Sequence, residues 1–594
     1  MALPWGWRGR HRLSPISLSL PNMVRATLSP LRMLPWFILV ALNACLALGL
    51  TGATAPAKPN ILMISIDDLN DWVGFLSGHP LVQTPNLDRL ASRSMVFSKA
   101  YCAAPVCGPS RAAVFTGLAP TRTGMYSNAN RLGKVYPTAR FFQHELAQHG
   151  YHTMGTGKLL HGNQGGPESF HEYGPGFNKW KPLTTEETRI SKAELDAPGP
   201  IIWHSINRAT GFSLRLPLNE MPRDRNPLSA RIESFDWGVI DLPESDWSDT
   251  QCADWAINKL GEAHTQPFFL GVGFYRPHQP LWAPKKYHDL YPPKDMPLPP
   301  HLKKDLNDVP AVGQMIGRLP LTSGSHATVI KHRQWQHAIS AYLACISYVD
   351  AQLGRVVDAL EASTHANNTV VIVWADHGWH LGEKEHWGKF TAWERAARVP
   401  LLIHLPKTLT QEGYLVSGQH DAPVSLLDLY PTILDLAGLN RITPLDGTSL
   451  APLLRGERPK LSRTVTTSVG PGNHSLRNQR WRFIQYYDGS QELYNLEVDP
   501  FEHTNLADRP EHQHRIQDFQ THLPVDRRIS HFVRLGPWKA LVSAIDQSIA
   551  LFGPGLGSVD GTENVAESHP DLIQQIESFL QHNLEAPRYS SIPN

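Results

Sequence analysis

Cysteine is scarce, with five in 594 residues. Cys45 falls in an apolar N-terminal run, which leaves Cys102, Cys107, Cys252 and Cys345, too few for a disulfide scaffold. If Cys107 has another role, at most one bridge can form. An excess of either charge is also missing. The 55 Lys and Arg residues against 54 Asp and Glu create no global field toward nucleic acid or a membrane surface, so a polyanionic substrate must be held by a local patch. Hydrophobic residues make up 41% of the chain, enough for a sizeable core, and the length predicts two domains or a large one with a smaller companion.

One apolar run stands apart. Arg25 and Arg32 precede 33-MLPWFILVALNACLALGL-50, and TGATAPAKP follows. This order of charge, apolar stretch and small residues is that of a secretory signal. A membrane anchor is the competing reading, because about 18 residues is close to the lower limit for spanning. LNAC at Cys45 weakly resembles a lipoprotein cleavage box, but apolar residues follow it. We expect residues 1–57 to be signal and linker, the mature chain to be exported, and no membrane association after cleavage. The polar lead before Met23 or Met33 points to a start site placed too early.

Further on, the β-branched runs NILMISIDD (60–68), PFFLGVGFY (267–275), TVVIVWADHG (369–378) and VPLLIHLP (399–406) suit strands buried on both faces. Ile339, Leu343, Ile346, Val349, Leu353, Val357 and Leu360 repeat every three or four residues, which predicts a helix of about seven turns. SLLDLYPTILDLAGL predicts another, stopped near Gly438. Strands alternating with helices predict an α/β fold, a mainly parallel sheet covered by helices on both faces. Residues 58–460 are the expected catalytic domain. After about 460, TVTTSV, RWRFIQYY and QELYNLEVD predict a small antiparallel sheet and HPDLIQQIESFLQHNL a closing helix, so 461–594 is the expected smaller subdomain. TNLADRP (504–510) echoes ENVAESHP (563–570), too briefly to be read as a repeat, and nothing after about residue 510 forms a functional motif. The long loops expected at 162–247 and 278–320 are of the kind that shapes a binding site.

Ligands of open α/β sheets sit beyond the carboxyl ends of the strands. Three strands end in groups that can do chemistry: Asp67 and Asp68, Asp376 and His377, and His278 after GVGFYRP. Adjacent carboxylates repel unless a cation sits beside them, and a divalent ion shared by both pairs is the economical partner; a solvated turn that caps the next helix is the alternative. His377, His380 and His386 raise zinc as a rival, but their spacing does not match HExxH or its inverse and no cysteine joins them. Lys389, near them, is a cation for an anionic substrate or simply solvated surface. In 107-CGPSR-111, Pro109 favours a first helical turn, so Cys107 stands at a helix N-terminus, where free N–H groups favour negative charge. A small buried hydrophobe is the ordinary reading of such a cysteine. A cysteine phosphatase would want cysteine and arginine six apart, not four.

CGPSR followed by AAVFTG resembles the signature of the sulfatase family, in which the cysteine is oxidised to formylglycine. The resemblance runs through IDDLNDW (66–72), TPNLDRLA (84–91), GTGKLLH (155–161), GFYRPHQP (273–280), ADHGWHLGE (375–383) and DGTSLAPLL (446–454) to ELYNLEVDPFEHTNLA. GKLLH, FYRPHQP and HGWHLGE with WGK are most similar to iduronate-2-sulfatases and their bacterial relatives. The resemblance implies an alkaline-phosphatase-like fold and a calcium ion held by Asp67, Asp68, Asp376, His377 and the modified Cys107. It also implies that Arg111 holds the modified residue and that Lys158, His161, His278 and Lys389 surround the sulfate. His278 would protonate the departing sugar oxygen and His161 would take a proton from residue 107. A formylglycine-generating or equivalent maturation enzyme is the implied partner, and a sulfated saccharide the implied substrate. Leu118 departs from the arginine that often follows Thr-Gly in the family. A phosphomonoester or phosphonate hydrolase on the same scaffold, and an inactive sulfated-glycan-binding protein, are the rival functions.

Overall fold

The apolar runs become the centre of one sheet. A computed structural model of the chain describes residues 58–162, 167–179, 181–183, 203–207, 212–222, 234–319, 323–440, 444–457 and 463–526, and toward the C-terminus 529–535, 538–543, 549–552, 566–582 and 589–592. The leader expected over 1–57 and much of the loop expected over 162–247 lie outside the described residues. The sheet contains β1 (Asn60–Ile66), β2 (Met95–Phe97), β3 (His152–Gly157), β4 (Glu172–Gly176), β5 (Phe268–Phe274), β6 (Thr369–Ala375), β7 (Leu401–His404) and β8 (Gly418–His420). Their order is β8-β2-β7-β6-β1-β5-β3-β4. The pairs β6–β1, β1–β5, β5–β3, β3–β4 and β8–β2 are parallel. VPLLIHLP supplies β7, which runs antiparallel to both its neighbours.

Every residue of β1, β5 and β6 is buried, because layers lie on both faces and no position needs to be polar. The main helices are α1 (Cys107–Thr116), α2 (Phe142–Gln148), α3 (Ser248–Gly261), α4 (Trp335–Ala362) and α5 (Leu429–Leu436). Successive strand residues point to opposite faces, and β5 displays this directly. Phe268 meets the rings of His264 and His365, which follow α3 and α4, at 4.7 and 5.3 Å. Phe269 turns the other way to Phe142 of α2 at 5.3 Å. The stripe predicted on α4 is buried throughout. Ala341, Tyr342, Ala344 and Cys345 are buried as well, so this helix is sunk into the fold more deeply than a one-sided stripe requires. α5 stops where expected, at Gly438 with φ +67°.

Two small units follow. Strands β9 (Val465–Gly470), β10 (Asn473–Arg477), β11 (Trp481–Gln485) and β12 (Gln491–Asn495) form an antiparallel sheet. Helix α6 (Gln513–Thr521) covers it by packing Ile516 and Phe519 on Leu476, Phe483 and Leu493. Then β13 (Ile529–Leu535), β14 (Trp538–Ser543), β15 (Ile549–Phe552) and β16 (Tyr589–Ile592) form a second sheet. Helix α7 (Pro570–His582) packs Ile576 and Phe579 on its Val533, Ala540 and Leu551. The registers correspond. Phe483 pairs with Leu476 and Leu493 in the first sheet, and Ala540 with Val533 and Leu551 in the second. The brief echo in the sequence therefore belongs to a repeated sheet-and-helix arrangement. It is too short to read from sequence because the two copies share only their core positions. They differ at one edge: β9 is antiparallel to β10, whereas β16, from the chain's end, is parallel to β13.

All four described cysteines are buried and free, so the single allowed bridge is not made among them. Among the described residues no helix is long and apolar enough to cross a membrane.

Gly157 closes β3 with φ +72°, and a Cβ there would lie 2.0 Å from the Gly273 carbonyl oxygen. Gly150 has φ +88° but open space around its Cβ position. Gly150→Ala should cost about 1 kcal/mol of unfolding free energy for the left-handed backbone alone. Gly157→Ala should cost about 3 kcal/mol, because overpacking adds to that strain. Denaturant melts of the two variants, compared with the parent, measure the difference; equal effects would contradict the close approach of these strands.

Candidate active site and metal centre

Register builds the site. Ile66 pairs with Ala375 on one side and Phe274 on the other, and Gly157 pairs with Gly273. Four parallel strands thus end level, and the next residues, Asp67, Asp376, Tyr275 and Lys158, emerge along one edge. Backbone bonds hold them there: Asp67 N to Phe274 O at 3.1 Å, Asp376 N to Ile66 O at 3.3 Å and Lys158 N to Gly273 O at 2.8 Å. Asp68 has φ +60°, a left-handed turn that carries its side chain back over the sheet end. The Tyr342 hydroxyl of α4 donates to Asp68 O at 2.7 Å and accepts from Asn70 N at 3.0 Å, pinning that turn.

Cys107 opens α1, as the Pro109 placement predicted. Val106 caps the helix with extended backbone and no side-chain acceptor. Asn128 supplies one from a distance, its Oδ1 accepting from Gly108 N at 2.8 Å. The helix ends at Gly117, φ +66°. Leu118, at the position where the resemblance calls for arginine, is buried. The following turn is tied instead to the DGTSL segment, with Ala119 N donating to Asp446 Oδ2 at 2.9 Å and Arg122 Nη1 to its Oδ1 at 3.1 Å.

Three carboxylates, a thiol and an imidazole converge. Ligand atoms of Asp67, Cys107, Asp376 and His377 all lie within 4.8 Å of one another, and so do those of Asp67, Asp68, Cys107 and His278. His377 Nε2 is 3.3 Å from both Cys107 Sγ and Asp68 Oδ1. Its Nδ1 faces the Gly378 carbonyl at 3.0 Å, so the proton belongs on Nδ1 and the Nε2 lone pair looks into the cluster. Asp376 Oδ1 accepts from Asp68 N at 3.1 Å and His377 N at 3.0 Å.

Three cations answer the three carboxylates. Arg111, completely buried, donates through Nε to Asp376 Oδ2 at 2.8 Å and through Nη2 to Asp67 Oδ1 at 3.3 Å. Its Nη1 goes to Ser65 Oγ at 3.2 Å and Leu159 O at 3.1 Å. Its described hydrogen bonds therefore orient the carboxylates beside Cys107. Lys158 Nζ pairs with Asp67 Oδ2. Lys389 Nζ donates to Asp68 Oδ1 at 2.8 Å and Cys107 Sγ at 3.0 Å.

The balance is uneven. Burial favours the neutral form of Asp67, but Lys158 outweighs the neighbouring Asp376 and holds the carboxyl below its usual range. Burial likewise opposes ionisation of Asp376, and Arg111 and His377 hold it well below that range. Asp68 loses the same contest: burial and Asp67 push its carboxyl up to about 8 despite Lys389. Among the described residues its Oδ2 has no hydrogen-bond partner, and neither has the indole nitrogen of nearby Trp379. A displacement from 3.8 to about 8 disfavours the anion by on the order of 5 kcal/mol, and a divalent cation against Oδ2 would remove that penalty. Carboxylate oxygens suit a hard cation such as calcium, and one imidazole nitrogen is an uncommon addition. The residues present thus fit a divalent ion. The zinc alternative finds no support: His380 is turned to Glu383 O and Thr391 Oγ1, and His386 to the carbonyls of Gly317 and Lys389.

Two histidines overlook the cluster. His278 Nε2 is 3.7 Å from Asp68 Oδ2, while Nδ1 lies 2.7 Å from Gln279 O and 2.8 Å from the Tyr275 hydroxyl, which itself donates to Gln279 O at 2.8 Å. A carbonyl only accepts, so Nδ1 carries a proton and Nε2 is the nitrogen turned to the site. Burial, then Lys389, hold the His278 imidazolium well below its usual pKa. His161 is pushed down to about 3, first by burial and then by Lys158. Burial, then Asp67, raise the Cys107 thiol. Lys389 keeps its proton well above the ordinary lysine range, because Asp68 and Cys107 outweigh the burial that opposes it. The structure thus brings Asp67, Asp68, Cys107, Arg111, Lys158, His278, Asp376, His377 and Lys389 together, and the charges of Lys158 and Asp67 reach His161. It adds Tyr275, Tyr342 and Asn128, which no spacing could reveal because each acts across the fold on a neighbour's backbone or ring.

Comparison with known proteins agrees with this geometry. Residues 59–439 match the sulfatase family model, and residues 382–528 match the model of the N-sulphoglucosamine sulphohydrolase C-terminal region. A sulfatase from Formosa agariphila is 35% identical over 79% of this chain and 86% of its own. A choline-sulfatase from Rhizobium meliloti is 30% identical over 76% and 83%. Human iduronate 2-sulfatase is 29% identical over 69% and 74%. Among solved structures, a 2-O GAG sulfatase covers 78% of this chain and 90% of its own at a TM-score of 0.57 and 23% identity. A phosphonate monoester hydrolase from Silicibacter pomeroyi covers 78% and 94% at 0.61 and 23%. With a family model spanning most of the chain and a level strand edge carrying the cluster, the protein belongs to the sulfatase family and is a sulfuric ester hydrolase.

Proposed function

We propose that the chain hydrolyses O-sulfate esters of uronate-containing or other sulfated glycans, with Cys107 converted to formylglycine and a single calcium ion beside it. The observation that carries this reading is the meeting of Cys107, at the start of α1, with Asp67, Asp68, Asp376 and His377. Lys389 and His278, both beside Asp68, complete the set of polar groups. Asp67, Asp68, Asp376 and His377 would hold the ion, which when bound would acidify the attacking hydroxyl and offset charge on the sulfonate oxygens. Hydrated formylglycine offers two hydroxyls on one carbon, so the group that accepts sulfate also has the means to release it. Lys158 and Lys389 present fixed positive charge to the sulfate oxygens. An anionic ester seated beside Lys158 and Lys389 would favour a proton on His278 Nε2, and His278 would pass that proton to the departing sugar oxygen. His161 would take a proton from the remaining hydroxyl of residue 107. Arg111 keeps the carboxylates aimed throughout.

The run after Arg25 and Arg32 supports export before the chain acts, and a maturation enzyme must reach Cys107 before α1 is packed, since the mature thiol is buried. Tetrahedral phosphate esters would meet the same groups, and a phosphonate monoester hydrolase shares the fold. The two esters differ mainly in charge, and a single calcium with formylglycine favours the monoanionic sulfate ester over a dianionic phosphate.

Active enzyme should yield a peptide spanning residue 107 that is about 18 Da lighter than its sequence mass, and Cys107→Ser should fold normally without turnover. An unmodified peptide from active enzyme would contradict the mechanism. His278→Ala should lower glycan desulfation by about 10² to 10⁴ while sparing nitrophenyl sulfate, whose leaving group needs no acid. Equal losses on both substrates would remove His278 from that role. Protein stripped with EDTA should gain about 2.7 kcal/mol of stability at a calcium concentration of 100 times its Kd. Asp68→Asn should lose most of that gain; an unchanged melt on adding calcium would count against the ion.

A further inference from the structure

Phe177 immediately follows β4 and is 37% exposed. Its ring is not idle surface. It lies parallel to Tyr275, centroids 5.4 Å apart and planes 6° apart. Tyr275 in turn is buried and bonded through its hydroxyl to His278 Nδ1 at 2.8 Å. Lys158 Nζ is 5.5 Å from the Phe177 centroid and 5.3 Å from that of Tyr275. One stack therefore touches the lysine at the anion site and the histidine beside the ester oxygen, and it ends in an open aromatic face.

From this juxtaposition we propose that Phe177, backed by Tyr275, is the platform on which the ring of a sulfated pyranose lies, and so a specificity-determining residue of the site. This rests on the sulfatase reading above. A sulfate seated against Lys158 and Lys389 puts its bridging oxygen toward His278, and the carbon frame attached to that oxygen must leave past the Phe177 face. The C–H face of a pyranose is apolar and flat enough to cover a phenyl ring, whose quadrupole attracts its polarised hydrogens. The rival occupant of such a face is a quaternary ammonium, held by cation–π attraction. Here that attraction is already engaged by Lys158, and the Arg276 guanidinium lies 5.1 Å from the Tyr275 centroid. A further positive charge would meet two others, whereas a neutral or anionic sugar would not. The orphaned Trp379 N–H, on a ring 6.4 Å from His278 and 5.5 Å from Lys389 Nζ, leaves a donor available in the same surroundings for an oxygen-rich substrate.

The test compares the parent, Phe177→Ala and Phe177→Trp for sulfate release from a 2-O-sulfated uronate pyranoside and from choline sulfate. Phe177→Ala should raise KM for the pyranoside roughly tenfold or more with little change in kcat, because His278 and the lysines are untouched. Phe177→Trp should keep KM near the parent value, and its melting temperature checks that the rim still folds. Choline sulfate should be turned over roughly a hundredfold less efficiently than the pyranoside by the parent. If Phe177→Ala leaves KM within about twofold, or choline sulfate is the better substrate, the platform is wrong while sulfate-ester hydrolysis stands. If the parent with modified Cys107 releases sulfate from no ester, the sulfatase reading falls and takes the platform with it.

Discussion

The structure depends on holding three carboxylates together where water cannot reach them. Asp67, Asp68 and Asp376 are completely buried, and isolated anions so placed would take up protons. Arg111 and Lys158 satisfy Asp67 and Asp376, and Lys389 satisfies one oxygen of Asp68. Among the described residues Asp68 Oδ2 is left without a hydrogen-bond partner, beside the cluster of ligand atoms. Much of the fold can be read as the scaffold for that arrangement. Parallel pairing makes the strands end level, Tyr342 from the long α4 holds the turn at Asp68, and α1 delivers Cys107 at its N-terminus.

The C-terminal sheet has a part in this scaffold. Ser468 N donates to Ala103 O at 2.8 Å and Thr467 Oγ1 to Cys102 O at 2.6 Å, so β9 grips the segment that leads into Cys107. Arg482 of β11 is buried against Ala392 O, Glu394 and Glu502, fixing the stretch just beyond Lys389. In the second sheet Lys539 stands at the register position of Arg482, and Ala550 at that of Glu492. The repeated unit keeps the hydrophobic core positions and the basic one, but has alanine in place of the acid Glu492.

The central strands were legible because a strand buried on both faces must be apolar throughout, as NILMISI and TVVIVWA are. The acids and histidines were legible because such a run ends abruptly in DD or DH, a change that only a site or a cap explains. The direction of β7 was not, since an antiparallel strand inside a covered sheet has the same composition as a parallel one. The contacts of Arg111 were equally hidden, because its place four residues from Cys107 along one helix says nothing of the two carboxylates it meets at the level strand ends. Phe177 lay in a long loop with no periodicity, so nothing in the sequence distinguished it from ordinary surface. The repeat escaped because sheets tolerate almost any residue outside the few core positions they share.

Crystals of the modified enzyme grown with a heavier divalent ion, and examined by anomalous scattering, put the central claim to the most direct test. The account expects one ion at full strength, about 2.3 to 2.6 Å from oxygens of Asp67, Asp68 and Asp376 if it is calcium-like, with the side chain of residue 107 in its coordination sphere. No peak at that position, or carboxylates turned away from residue 107, would contradict it.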